Sequence, residues 1–299
     1  MVIDVTNQIN MSNQIKQWIK SSPLIVKIKR KVWAFFYGSS DVSKLNVNKT
    51  FPSFPPFSAG TYKDRAILTI EAINQVFPFL SSLSKHLKDG GIVVEKIESL
   101  SIDPQNKSSS YALKKILDKH GSDKANHHNY HHLYGAILCD KDSVTNIFEV
   151  GLGTNYTNVV SNMGPQGKPG ASLRAFRDFC PNAQVFGADI DKRILFEEDR
   201  IKTFFVDQTK PATFDALLEK IPKNFDLVID DGLHSPNANI ATLEFGLKIL
   251  KIGGWVVIED IGEEAISIWQ TVSALFPNSY EPHIFSADGA ILFAVKKLN

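Results

Sequence analysis

The sequence predicts an α/β fold for the C-terminal half: a mostly parallel sheet with helices on both faces, preceded by a mainly helical region. Two observations carry this. From about residue 146, short apolar runs alternate with amphipathic stretches, the pattern of strands buried on both faces and joined by helices. The polar residues that stand out fall where the apolar runs end, and in such sheets ligands sit outside the carboxyl ends of the strands.

In chain order, residues 14–37 mix apolar and basic side chains around Pro23. They read as a helix whose Trp18, Trp33 and Phe36 pack within the protein or on a second copy. Lys27, Lys29, Arg30 and Lys31 leave peripheral contact with anionic lipid open. The loop FPSFPPFSAG (51–60) is broken by prolines and glycine. A helical pattern over 62–88 stops at Gly90–Gly91. An Asn- and Ser-rich stretch near 102–110 precedes a short helix over 111–119. Strand candidates follow at 146–150, 183–190, 202–206, 225–231, 254–260 and 290–297, with helical stretches near 171–179, 211–220, 237–250 and 263–275. The division expected is an auxiliary region over 1–110, serving oligomerisation or as a substrate lid, and a catalytic domain over 111–299.

Composition narrows the class. Of 299 residues, 43% are hydrophobic and 22% charged, with a formal net charge of +1, so no global field recruits nucleic acid. Two cysteines, Cys139 and Cys180, give no disulfide framework. No secretory signal or membrane-length apolar run is legible. The expectation is a cytoplasmic protein, without a transmembrane segment, that forms a homo-oligomer.

The strand ends suggest chemistry. The run 146–150 ends in Glu149 and Val150 and leads into Gly151 and Gly153, a turn that lets backbone approach a ligand. Tyr156 stands where a dinucleotide fingerprint wants a third glycine, which disfavours a nicotinamide oxidoreductase. Asp189 and Asp191 end the second run, where a carboxylate can accept from ribose hydroxyls. Asp207 and Gln208 follow the third and can reach an adenine. Asp231 and His234 end the fourth, and Glu259 and Asp260 the fifth. Crowded carboxylates repel unless a cation joins them, and hard oxygen donors suit magnesium or another hard divalent ion. Asp231, Glu259 and Asp260 are therefore expected metal ligands, with Asp230 turned to the opposite side. His234 is placed to take a proton from a substrate hydroxyl. His127, His128, His131 and His132 lack a zinc-site pattern. Their segment instead reads as a helix before the first strand that offers Tyr130, Tyr134 or His128 to the cofactor side.

From Gly121 to the end, the stretches GSDK, HNY with Tyr134, FEVGLG, PGASLRAFRDFCPNAQVFGADIDKRILFEEDRIKTFFVDQT, DDGLH and GGWVVIED resemble the metal-dependent sugar O-methyltransferases that include the mycinamicin-type macrolide enzymes. The resemblance covers about 180 residues. It implies a Rossmann-like class I methyltransferase fold with a seven-stranded sheet and S-adenosyl-L-methionine at the glycine turn. It also implies magnesium on Asp231, Glu259 and Asp260, His234 as general base and Asp189 on the ribose. The implied reaction is methylation of a hydroxyl on a sugar or glycosylated small molecule. Two alternatives stay open: a phenol or polyketide hydroxyl as acceptor, with FPSFPPF supplying an apolar pocket, and a non-catalytic binding or membrane-associated module on the same fold.

Overall fold

The computed structural model describes residues 62–87 and 91–299, so the expectations for 14–37 and 51–60 lie outside the described residues. The chain divides into two compact units, Met1–Val76 and Phe77–Asn299. The described part of the first unit is the opening of helix α1 (Tyr62–Leu87), which ends just short of the expected glycine stop and contains Pro78. Everything below concerns the second unit.

Its sheet has nine strands: β1 (Val94–Lys96), β2 (Asn146–Val150), β3 (Gln184–Asp189), β4 (Glu197–Glu198), β5 (Ile201–Phe205), β6 (Phe225–Asp230), β7 (Leu250–Ile261), β8 (Tyr280–Ala287) and β9 (Ala290–Lys297), in the order β1-β8-β9-β7-β6-β2-β3-β5-β4. Strands β5, β3, β2, β6 and β7 run parallel, and β9 is antiparallel to both β7 and β8. These with β8 are the expected seven, and the very short β1 and β4 extend the two edges. Every residue of β2 and β6 is buried. That is why both read as unbroken apolar runs.

The helices are α2 (Pro104–His120), α3 (Asp123–Asn126), α4 (His131–Ile137), α5 (Ala171–Phe179), α6 (Pro211–Leu218), α7 (Pro236–Ile249) and α8 (Ile266–Leu275). Successive strand residues point to opposite faces, which makes two cores. Ile147, Leu227, Ile229 and Val257 pack with Leu113, Leu117, Leu173 and Phe176 on one face. Phe148, Val228, Val256 and Ile258 pack with Phe214, Phe245 and Trp269 on the other. Each large apolar side chain fully buried this way contributes about 1.5–3 kcal/mol.

Helix α2 starts earlier than the Asn/Ser-rich composition suggested. Asp103 caps it by accepting from the backbone N–H groups of Gln105 and Asn106, with Pro104 in the first turn. Capping, plus burial of Ser110, Leu113 and Leu117, outweighs the weak helix propensity of serine and asparagine. The compact unit correspondingly begins before residue 110, because β1 pairs with β8 and α2 contributes to the core.

The four histidines around α4 do not converge. His128 stacks on Tyr130 at 5.0 Å, His132 Nδ1 is 2.7 Å from Ser101 Oγ, and the His131 and His132 rings lie 4.2 Å apart. Burial, with smaller effects from His132 and Lys114, pushes the His131 imidazole down to about 4. Its Nδ1 is buried without a hydrogen-bond partner. Below the ordinary value near 6.5 the unfolded chain takes up a proton that the folded chain refuses. Stability at this site is therefore full above pH 6.5, declines as the pH falls towards 4, and levels off below. His131→Phe is expected to retain about 1–3 kcal/mol more of its pH 7.5 stability at pH 4.5 than the wild type does. Urea unfolding at both pH values checks this, and equal losses in the two proteins would refute it.

Candidate active site

The chain leaves β2 towards β3 on one side of the sheet, and β6 lies on the other, so the strand order switches at the end of β2. A cavity of about 630 Å³ opens there. That is ample for a nucleoside-sized ligand. It is lined by the turn after β2, by Asp189 at the end of β3 and Asp191 just beyond it, by Asp207 and Gln208 beyond β5, by Asp231–His234 beyond β6, and by Asp260 near the end of β7.

The glycine turn is shaped by its neighbours. Gly151 has φ +93°, and a Cβ there would lie 1.8 Å from the Asp231 carbonyl oxygen. The β2 and β6 ends thus approach as closely as backbone allows, sealed by Asp231 N–H donating to Val150 O at 2.8 Å. Gly153, φ +73°, would put a Cβ 2.0 Å from Met163 Sδ. The polar loop 154–170 folds back as a cavity wall, pinned where Ser161 Oγ donates to Gly232 O at 2.6 Å.

Asp189 is buried with both oxygens engaged by backbone, Oδ2 accepting from Leu152 N–H at 2.8 Å and Oδ1 from Asp191 N–H at 2.7 Å. Burial raises its pKa, and these hydrogen bonds offset part of that rise. Asp191 accepts from Arg193 Nε and Nη2 at 2.6 and 2.7 Å and from Thr154 Oγ1 at 2.7 Å. The Arg193 guanidinium lies 3.8 Å over the Tyr156 ring. Tyr156, the residue in place of a third glycine, thus forms a stacked pair on the glycine-turn loop. Asp207 is held below the usual carboxylate range by Lys210, at 2.6 Å, and by Thr209. Gln208 turns its side chain inwards: Oε1 accepts from Leu233 N–H, and Nε2 donates to Asp230 Oδ1 and Thr242 Oγ1. Asp230 is fully buried on the side away from Asp231 and also accepts from Asn239. Gln208 and Asp230 together brace the turn that presents Asp231 and His234.

On the β6–β7 side of the cavity, donor atoms of Asp231, His234 and Asp260 lie within 4.8 Å of one another. His234 Nε2 is 4.0 Å from Asp231 Oδ1 and 3.8 Å from Asp260 Oδ2. His234 and Asp260 both hold left-handed backbone, at φ +55° and +53°. Asp260 lies where the β7–β9 register shifts between Ile258 and Ile261. The irregularity re-aims its carboxylate off the strand.

Glu259 is placed differently. It is buried, with Oε2 2.5 Å from Lys124 Nζ and Oε1 accepting from the Tyr134 hydroxyl. Tyr130 donates to Asp260. Burial, then the neighbouring carboxylates, raises both phenols, so both hydroxyls keep their protons. Glu149 is fully buried and accepts from Ser172 Oγ at 2.6 Å. The sequence reading missed Lys124, whose Nζ lies 2.6 Å from Asp231 Oδ2, 2.5 Å from Glu259 Oε2 and 3.1 Å from Glu149 Oε1. Burial alone would lower its pKa, but the three carboxylates hold it well above the ordinary lysine value. Its signal was the final letter of GSDK.

Four carboxylates, Glu149, Asp231, Glu259 and Asp260, gather here around one ammonium that contacts the first three. Burial raises the pKa values of Glu149, Asp231 and Glu259, with Lys124 pulling each down. This surplus of hard oxygen donors fits a divalent cation beside Asp231, His234 and Asp260. Among the described residues this is the group of acids and histidines whose donor atoms converge.

No family model matches the chain. It is 30% identical over 144 residues to an 8-demethyl-8-alpha-L-rhamnosyl tetracenomycin-C 2'-O-methyltransferase of Streptomyces olivaceus, a match covering 48% of this chain and 36% of that one. It is 38% identical over 93 residues to the mycinamicin VI 2''-O-methyltransferase of Micromonospora griseorubida, covering 31% of this chain and 23% of the relative. The matches thus span about a third or less of these relatives' lengths. Among solved structures, the MycE methyltransferase in complex with Mg, SAH and mycinamycin VI superposes with a TM-score of 0.51 at 21% identity, over 62% of this chain and 53% of that one. The chain therefore has the class I Rossmann-like methyltransferase fold and, over its matched residues, is homologous to sugar O-methyltransferases of the tetracenomycin and mycinamicin type.

Proposed function

We propose that the chain is a metal-assisted O-methyltransferase that uses S-adenosyl-L-methionine to methylate a hydroxyl of a sugar or glycosylated small molecule. The observation that carries this is the meeting of Asp231, Asp260 and His234 on the wall of one cavity that also holds the glycine turn and Asp189. The named reactions of the relatives, on rhamnosyl tetracenomycin and mycinamicin, support a glycosylated polyketide as acceptor. When bound, S-adenosyl-L-methionine supplies an electrophilic methyl group, and a hard divalent cation supplies positive charge that acidifies a neighbouring hydroxyl.

The protein's part is positioning, which contributes about 7–11 kcal/mol in well-oriented reactions. Asp189 and the Gly151–Gly153 turn hold the nucleoside and its amino-acid end, with Glu149 and Ser172 behind them. Asp207 and Gln208 border the adenine side, Gln208 through the backbone it braces. Asp231 and Asp260 hold the cation, with Glu259 behind them as the third acid. His234 takes the acceptor's proton at Nε2. Tyr130 and Tyr134 fix the carboxylates of Asp260 and Glu259 through their hydroxyls. Among the described residues no helix is long and apolar enough to cross a membrane.

Calorimetry tests the reading. S-adenosylhomocysteine is expected to bind the wild type at micromolar Kd with magnesium present, and at least about tenfold more weakly after Asp189→Ala, the loss of a hydrogen bond to a buried charged group. No binding to the wild type in any metal condition removes the proposal.

A further inference from the structure

We propose that Lys124 is a positioning residue that couples the cofactor end of the cavity to the metal end. The inference rests on the functional reading above. It comes from where the ammonium stands: it hydrogen-bonds Asp231 beyond β6 and Glu259 of β7, and lies 3.1 Å from Glu149 Oε1 of β2 as an ion pair, one carboxylate from each of three strand ends. The side chain is 2% exposed, so water does not share this duty.

Lys124 reaches both ends of the site. Glu149, its longest contact, passes through its other oxygen to Ser172 Oγ, and Ser172 opens into the cavity near the glycine turn. Asp231 and Glu259, its shorter contacts, sit on the side where Asp260 and His234 gather. The backbone adds a third tie, since Lys124 O accepts from Tyr130 N–H at 2.8 Å and the Tyr130 hydroxyl holds Asp260. Ser122 and Asp123, just before Lys124, line the same cavity.

One cation shared by three anions makes the contacts compete. Positive charge arriving beside Asp231 and Glu259 weakens their attraction for Lys124, and the ammonium then leans on Glu149. That firms the Glu149–Ser172 contact behind the glycine turn. Magnesium thus tightens cofactor binding and, by reciprocity, the cofactor tightens magnesium binding.

The test is calorimetry on the full chain, titrating S-adenosylhomocysteine with and without magnesium chloride, and magnesium chloride with and without S-adenosylhomocysteine. In the wild type each is expected to strengthen the other by about fivefold or more, within the usual range of such couplings. Lys124→Met is expected to bring the factor below about twofold, since the bridge is gone. Because Lys124→Met leaves buried carboxylates unpaired, Glu149→Gln is the second variant. It keeps the shape and the Asp231 and Glu259 contacts but removes the charge at the cofactor end, and is expected to lower the factor likewise. A residue serving only stability would shift melting temperature in the variants and leave the factor at its wild-type value, and that result overturns the proposal. So does wild-type binding of the two ligands without mutual effect, which leaves the functional reading standing. Absence of any S-adenosylhomocysteine binding to the wild type brings down both.

Discussion

Asp231→Asn is expected to lower kcat/KM for methyl transfer about a thousandfold, and added magnesium should restore little of it. The substitution keeps the size of the side chain but removes one of two carboxylates that meet His234 at 4.0 and 3.8 Å. It also weakens one of the three contacts that hold Lys124. Losing a fixed charge that stabilises developing charge in a water-poor site typically costs about 10²–10³ in rate, and a weakened metal site adds to that. Steady-state rates with a glycosylated acceptor across a magnesium series check it. Retention of more than a tenth of wild-type activity at saturating metal would show that Asp231 is not a metal ligand.

The second large effect is expected at His234. His234→Ala should lower kcat by about 10²–10⁴, the usual contribution of a positioned proton acceptor. S-adenosylhomocysteine affinity should stay within about threefold of wild type, because Asp189 and the glycine turn remain intact. The imidazole is 30% exposed into the cavity, and Nε2 is the nitrogen that faces Asp231 and Asp260. Single-turnover measurement separates chemistry from binding here. Near-wild-type turnover at saturating magnesium would mean that another group, or water, takes the proton.

How much of this was legible in the sequence depended on where each residue lies relative to the sheet. β2, β6 and the second half of β7 could be read directly, because strands buried on both faces are written as apolar runs. β8 carries no strand signal: YEPHIFSA contains Pro282 and polar residues and is half-buried, as suits a strand next to the short edge strand β1. The acids at the strand ends were legible together because parallel strands deliver their tips to one side of the sheet. Lys124 was not. It stands 107 residues from Asp231 and 135 from Glu259, on a short helix before β2, and a lysine in isolation reads as a solvated side chain. The inward turn of Gln208 was equally hidden. Its partners Asp230, Leu233 and Thr242 come from β6 and from the loop and helix that follow, contacts no local pattern announces.

The left-handed backbone at Asn129, His234 and Asp260 bears on how sturdy this chain can become. An ordinary side chain there costs about 1 kcal/mol relative to glycine, and asparagine at 129 is the most tolerant of the three. Any selection for heat resistance alone would drift towards glycine at 234 and 260, trading chemistry for robustness. Variants hardened by directed evolution should therefore be screened for turnover at every round, since glycine at either position gains stability and loses function together.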